Sequence, residues 1–370
     1  MAERELRLTP IDELYLRRAY ELAARGLGST MPNPPVGAVV VRDGRIVGEG
    51  YHHRAGEAHA ETNALAQAGP KARGATIYIS LEPCRHIGRT PPCTLALLEA
   101  GITRVVAGTI DPSRNGGGAA DLEAEGVDVV IAEEPAAREL IEAFARASAQ
   151  SRPYVALKMA MSLDGCIATR PGVREQITSE GAARYVRELR IAYDAVMVGA
   201  ETVRVDDPQL TVRPAHDRAR IYRRVVACEK ATLPPGSRIF AGNEGYAKTI
   251  VLAPAGASDR FDDLRGVADV VYVGERDARR LDLARAMEAL RERGIYSVLC
   301  EGGPRLGAQL IATGVVDRFY WAIAPVLLQN DRAAPVLAGA DLAASGTRLH
   351  FDRVERTGDD VVLSGTFERV

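Results

Sequence analysis

The strongest constraint on how this chain can fold is a set of potential metal ligands spread over alternating helices and strands. His59-Ala60-Glu61 stands at the start of an Ala-rich run, residues 58–68, that reads as a helix stopped by Gly69-Pro70. Pro83-Cys84 follows an apolar stretch over 75–81 with strand character, and Cys93 precedes a short helical run over 94–100. One imidazole and two thiolates suit tetrahedral zinc and leave one position open for water. Zinc at such an open site lowers the pKa of bound water to about 7. Glu61, two residues from His59, is close enough to touch that water without binding the metal, and to pass its proton to a leaving amine.

Each residue also has a blander reading. A buried Cys is most often structural, and His59 alone reads as an ordinary surface residue. A closed, structural zinc in a non-enzymatic binding module would need a fourth ligand, for which His86 is nearest. Yet the eight residues between Cys84 and Cys93 depart from compact C-x2-C ribbons. His-x-Glu joined to Pro-Cys marks the zinc nucleobase deaminases. The base could lie in a small molecule or in nucleic acid. With 47 Lys+Arg against 49 Asp+Glu and 5% aromatic residues, the chain has neither the basic excess nor the stacking platform that nucleic acid requires.

At 370 residues the chain exceeds the roughly 250–300 of a single core, so two domains are expected. The first, 1–150, opens with a helix capped at Thr9-Pro10. It continues through a hairpin turning at Asp43-Gly44, and its helix–strand alternation indicates a three-layer α/β domain. A helix over 135–150 closes it, and Ser151-Arg152-Pro153 marks the junction to the second domain, 151–370. That half alternates again from a strand over 154–161 and ends in antiparallel strands around Gly358-Asp359; 203–270 is the hardest part to read. Five cysteines are no disulfide framework, and Cys166, Cys228 and Cys300 read as reduced small hydrophobes. The N-terminus lacks a secretory apolar core. The longest uncharged apolar stretch, 319–330, is shorter than the ~20 residues of a membrane span, so a cytoplasmic protein is expected.

The stretch Glu82-Pro83-Cys84-Arg85-His86-Ile87-Gly88-Arg89-Thr90-Pro91-Pro92-Cys93 resembles the pyrimidine deaminase of riboflavin biosynthesis. So do Pro32-Asn33-Pro34-Pro35-Val36-Gly37 and the segment from His52 to Glu61. The likeness covers nearly the whole chain and is to the bifunctional deaminase/reductase family acting on ribosylaminopyrimidine 5′-phosphates. It implies zinc on His59, Cys84 and Cys93, Glu61 as the catalytic acid/base, and substrate contacts from Asn33, His52, His86 and Arg89. Where the family places Asn after Asp-Pro, this chain has Ser113.

For the second half the resemblance rests on Lys158, Ser162-Leu163-Asp164-Gly165, Ile177-Thr178, Asp206-Asp207-Pro208, Leu210-Thr211-Val212-Arg213 and the Pro325 to Leu328 segment. It implies a dihydrofolate-reductase-like fold that binds NADPH, and a homo-oligomer formed through this domain. Lys158, Arg190, Leu210, Arg213 and Glu301 would face substrate. Ala160, Thr202, Asp206 and the turn from Gly303 to Gly307 would face cofactor, and Asp164 would lie near the reacting ribose. Glu301-Gly302-Gly303-Pro304 between a strand and a helix is by itself a weak phosphate signal. The departures also gather here: Cys166 for a basic residue, Arg174 for a small hydroxyl, Gln176 for Trp, Cys228-Glu229 for Asp-Ser/Thr, and Gln329-Asn330 for Gly-Gly. Glu229 would repel a cofactor phosphate, and Arg174 could offset it. The second half is therefore expected either to reduce its substrate or to have become inactive or retuned.

Overall fold

The computed structural model describes residues 8–86, 91–212, 221–230, 233–242, 246–344 and 346–369. The chain divides into two compact units, one ending at Ala149 and one beginning at Gln150.

In the first unit Thr9 caps α1 (Pro10–Ala24). Its hydroxyl accepts from the Asp12 N–H, and the Asp12 carboxylate accepts from the Thr9 N–H, a reciprocal capping box. β1 (Gly37–Arg42) and β2 (Arg45–Tyr51) form a hairpin whose turn residues Asp43 and Gly44 both take positive φ, 50° and 72°. There follow α2 (Ala60–Ala68), β3 (Thr76–Ile79), α3 (Cys93–Glu99), β4 (Arg104–Ala107), α4 (Gly118–Ala124), β5 (Asp128–Ile131) and α5 (Pro135–Ala149). The sheet order is β2-β1-β3-β4-β5, with the hairpin antiparallel and β3 to β5 parallel. Alternation along β1 feeds two cores. Ala38 and Val40 meet Ala60 and Ala64 of α2, Leu97 of α3 and Leu122 of α4. Val39 and Val41 meet Leu16, Ala19 and Leu22 of α1. Helices therefore cover both faces, giving the three layers that the alternation predicts.

Two glycines of β2 set how close α2 comes. A β-carbon on Gly48 would lie 2.2 Å from the Ala64 carbonyl oxygen, and one on Gly50 would lie 2.5 Å from that of Ala60. The helix rests directly on strand backbone, and its first turn carries His59 and Glu61.

The second unit runs β6 (Tyr154–Ser162), β7 (Cys166–Ala168), α6 (Glu180–Ala192), β8 (Ala195–Gly199), α7 (Ala200–Asp206), β9 (Arg223–Ala227), β10 (Thr249–Pro254), β11 (Ala268–Val273), α8 (Leu283–Glu292), β12 (Ser297–Cys300), α9 (Pro304–Thr313), β13 (Arg318–Ala324), β14 (Ala334–Pro335), β15 (Thr347–Thr357) and β16 (Asp360–Arg369). Nine strands form one sheet in the order β11-β10-β9-β8-β12-β6-β13-β16-β15. It is parallel from β11 to β13; β16 then pairs antiparallel with β13 and β15. Leu157, Met159 and Val298 pack under α8 and α9 on one face, while Val196, Val198, Val226 and Val251 pack with Val203 of α7 and Phe261 on the other. The hard-to-read 203–270 stretch holds α7, β9, β10 and short 3-10 turns. Among the described residues no helix is long and apolar enough to cross a membrane.

Candidate active sites

His59 is the N-cap residue of α2, Cys84 lies in the loop after β3, and Cys93 is the first residue of α3. Two helix starts and a strand end thus converge. The three ligand atoms lie within 4.8 Å of one another. His59 Nδ1 is 3.2 Å from Cys93 Sγ and 3.5 Å from Cys84 Sγ. Among the described residues no fourth His, Cys, Asp or Glu joins the group. His86 is exposed and outside it. A donor set of one nitrogen and two sulfurs fits zinc with a position left over. Glu61 is buried in the first turn of α2, where burial pushes its carboxyl above the usual carboxylate range against the opposing effect of His59.

Asn33 and His52 stand beside this group. Asn33 Nδ2 lies 3.1 Å from His52 Nε2, and His52 Nδ1 lies 3.0 Å from the Ala58 carbonyl. Both contacts are satisfied when Nδ1–H donates to Ala58 and Nε2 accepts from Asn33. Burial pushes the His52 pKa down and favours this neutral form. The His52 and His59 rings are 5.2 Å apart, edge to face. His53 is exposed and stacks on Tyr51. Arg89 lies outside the described residues.

One residue of this region has no signal in the sequence beyond its place next to Pro83-Cys84. The Glu82 carboxylate accepts from the N–H groups of Asp111 at 3.1 Å, Gly117 at 3.1 Å and Ala119 at 3.0 Å. It seats the loop over 111–117 and the start of α4. Within that loop the Ser113 hydroxyl accepts from the Asn115 N–H, so this shorter side chain closes its own turn.

In the second unit Lys158 of β6, Arg190 of α6 and Glu301 after β12 come together. Arg190 grips Glu301 with two hydrogen bonds, 2.5 and 2.9 Å, and donates a third, 2.9 Å, to the Thr211 carbonyl. Burial would raise the Glu301 pKa, but the Arg190 guanidinium beside it holds the carboxyl below the usual range, with help from Lys158. Burial pushes the Lys158 ammonium down, against the pull of Glu301. Leu210 is buried and takes φ +52°. Arg213 lies outside the described residues.

Thr202 on α7 faces the turn before α9: a β-carbon on Gly303 would lie 3.3 Å from the Thr202 hydroxyl. Asp206 lies one helical turn beyond Thr202, with burial raising its pKa and Arg174 opposing. These groups gather where the carboxyl ends of β8, β12 and β6 meet, the end of a parallel sheet at which ligands bind. Ala160, two residues after Lys158, packs with Ala322 and Val362. Gly307 sits on the buried face of α9, where a β-carbon would meet Leu337 and Met159. The structure thus brings Thr202 to Gly303, with Asp206 one turn along the same helix, and sets Gly307 against Leu337 and Met159.

The RibD C-terminal domain family matches residues 153–363, and the zinc-binding region of the cytidine and deoxycytidylate deaminase family matches residues 9–109. The riboflavin biosynthesis protein RibD of Aquifex aeolicus is 39% identical over 359 residues, which cover 95% of this chain and 98% of that protein. This chain belongs to the RibD family. The Escherichia coli RibD is likewise 39% identical, over 95% of this chain and 98% of its own length. Among solved structures, a diaminohydroxyphosphoribosylaminopyrimidine deaminase/5-amino-6-(5-phosphoribosylamino)uracil reductase from Thermotoga maritima superposes with a TM-score of 0.83 at 34% identity, covering 97% of this chain and 99% of that one. The Acinetobacter baumannii RibD gives 0.80 at 34% identity over the same shares. The first unit carries the zinc-binding region of the cytidine and deoxycytidylate deaminases, and the second is a RibD C-terminal domain.

The residues expected to depart from the family pattern are each engaged locally. Cys166 is buried, its N–H donating to the Ser162 hydroxyl. Gln176 is exposed and donates to the Thr178 carbonyl. Arg174 is exposed but within electrostatic reach of Asp206. Cys228 is buried, and Glu229 accepts from the Leu281 N–H at 3.2 Å. The Asp164 carboxylate accepts from the N–H groups of Leu328 and Gln329, 3.0 and 2.8 Å, and from the Ser162 hydroxyl. Asn330 ties the same segment to the Thr169 carbonyl at 3.2 Å. Gln329-Asn330 thus closes a cross-link to the β6–β7 turn.

Proposed function

We propose that this chain catalyses two consecutive steps of riboflavin synthesis. The first is hydrolytic deamination of 2,5-diamino-6-(5-phosphoribosylamino)pyrimidin-4(3H)-one; the second is NADPH-dependent reduction of the product's ribosyl chain to ribityl. The observation that carries the reading is the convergence of His59, Cys84 and Cys93 beside a buried Glu61. Zinc held by these three residues supplies a Lewis acid that makes water a nucleophile near neutral pH. Water adds to the amino-bearing ring carbon and ammonia departs. Glu61 takes the proton that the water loses and returns it to the amine, a role served by a carboxyl whose pKa lies above the usual range. Asn33, neutral His52, His86 and Arg89 are assigned to contacts with the base, ribose or phosphate beside the metal.

In the second step NADPH supplies the hydride. The bare N–H groups at the start of α9 and the small Gly303 suit its phosphates, with Thr202, Asp206 and Ala160 alongside. Lys158, Arg190, Leu210 and Glu301 face the aminouracil substrate, and the family likeness assigns Arg213 to the same substrate. No observation favours an inactive second unit, since its departures are absorbed locally and its central charges are assembled. The reading takes the enzyme as a cytoplasmic homo-oligomer acting on a free small molecule, a state that light scattering checks. A two-stage assay tests each step: ammonia release from the pyrimidine phosphate, then absorbance loss on adding NADPH. Absence of ammonia overturns the first assignment, and absence of NADPH oxidation by the deaminated product overturns the second.

A further inference from the structure

One peptide group in the second unit is held at both ends. The carbonyl of Thr211 accepts from Arg190 Nη1 at 2.9 Å, and the N–H of Val212, in the same peptide plane, donates to the Tyr246 hydroxyl at 2.7 Å. A planar amide gripped on both edges cannot rotate without breaking one bond. The plane follows Leu210, a non-glycine residue at φ +52°, in a stretch that is neither helix nor strand. Arg190 is also the residue that grips Glu301, so this peptide and the charge pair share one guanidinium.

The Tyr246 ring is fixed in turn. The Arg224 guanidinium lies 5.3 Å from its centroid, and Tyr222 meets it edge to face at 5.8 Å. Arg224 is 1% exposed and donates from Nη2 to the Ala241 carbonyl, while among the described residues its Nε and Nη1 have no hydrogen-bond partner. Burial pushes its pKa down. Among the described residues no carboxylate pairs with it, and a buried cation in that state is a poor stabiliser of a fold. What it does supply is a cation against an aromatic face.

We infer that Tyr246 and Arg224 are positioning residues for the substrate-facing segment Leu210–Val212, acting through the peptide plane shared with Arg190. The inference rests on the reductase reading. Tyr246→Phe removes only the hydroxyl. It should raise the KM for the deaminated product about fivefold, the effect of one lost hydrogen bond, with kcat, the KM for NADPH and ammonia release unchanged. Arg224→Met keeps the volume and drops the charge. It should raise the same KM while leaving the thermal midpoint unchanged or higher, and Arg224→Lys, which keeps the charge, should restore KM towards wild type. A wild-type KM in Y246F overturns the inference. So does a KM rise in both variants that tracks a fall in thermal midpoint and is not restored in R224K. If wild type oxidises NADPH while the variants match it, the positioning role alone fails; if wild type does not oxidise NADPH, the reductase reading fails with it.

Discussion

In the first unit the reacting groups come from the ends of elements pressed together by backbone packing: His59 caps α2, Cys93 begins α3, and Gly48 and Gly50 bring α2 onto the sheet. In the second unit the corresponding groups reach one another by charge, with Arg190 on a helix face and Glu301 past a strand end meeting beside Lys158. The first arrangement has few parts, and each must lie within a few ångströms of the others. The second spreads its binding over many residues, so single replacements are taken up by neighbouring backbone.

The largest separation between the units comes from Glu61→Gln. Ammonia release should fall by about 10²–10⁴-fold, as for loss of a general acid/base, while bound zinc stays stoichiometric by elemental analysis. The same variant should oxidise NADPH normally when given the deaminated product. Next comes Glu301→Gln, which leaves the Arg190 charge without its partner and should cost the second unit about 3–5 kcal/mol of stability. Calorimetry should show its transition alone moving down. The sign with pH follows from the direction of the shift. The folded Glu301 pKa lies below its unfolded value, so the stabilisation is fully present above about pH 5. It is lost as pH falls through the folded value. Wild type should therefore lose more stability on acidification than E301Q, and parallel curves would refute the assignment.

Gly50→Ala tests the packing side of the contrast. A β-carbon 2.5 Å from the Ala60 carbonyl forces α2 outward, at a cost of about 1–3 kcal/mol. Zinc affinity and ammonia release should drop together with NADPH oxidation untouched, and retained zinc affinity would show that α2 can yield. The smallest effect is expected from Glu229→Gln. Because this carboxylate accepts from the Leu281 N–H, the KM for NADPH should change by less than about twofold. A tightening of about tenfold would instead mean that it repels the cofactor phosphate across roughly 1–4 kcal/mol.

Much of the first unit is legible in the sequence because its signals are local. Thr9-Pro10, Asp43-Gly44 and Gly69-Pro70 each carry their own turn chemistry, and they mark helix starts, hairpin and helix stop where the structure has them. His59, Cys84 and Cys93 are recognisable because metal chemistry restricts residue type severely. Glu82 is not, since its partners are backbone N–H groups about thirty residues away, which any sequence supplies. Tyr246 and Arg224 are invisible for the same reason: one serves a peptide plane and the other an aromatic ring. The 203–270 stretch resists reading because its strands are short and buried on both faces, which removes the alternation that marks a half-exposed strand.

The pairing of β6 has a consequence for the order in which the units form. In the first unit β1 pairs with β2 and β3, both within the same stretch of about forty residues. In the second, Tyr154 at the start of β6 pairs with Ser297 of β12, and Arg318 of β13 closes the other side. This interior strand waits for partners at the far end of its unit, and closing so long a loop is slow. During synthesis the zinc site can be complete while β6 is still an unpaired apolar strand. Exposure to aggregation therefore falls on the reductase half, and it is this half that sets how readily the whole enzyme is obtained folded.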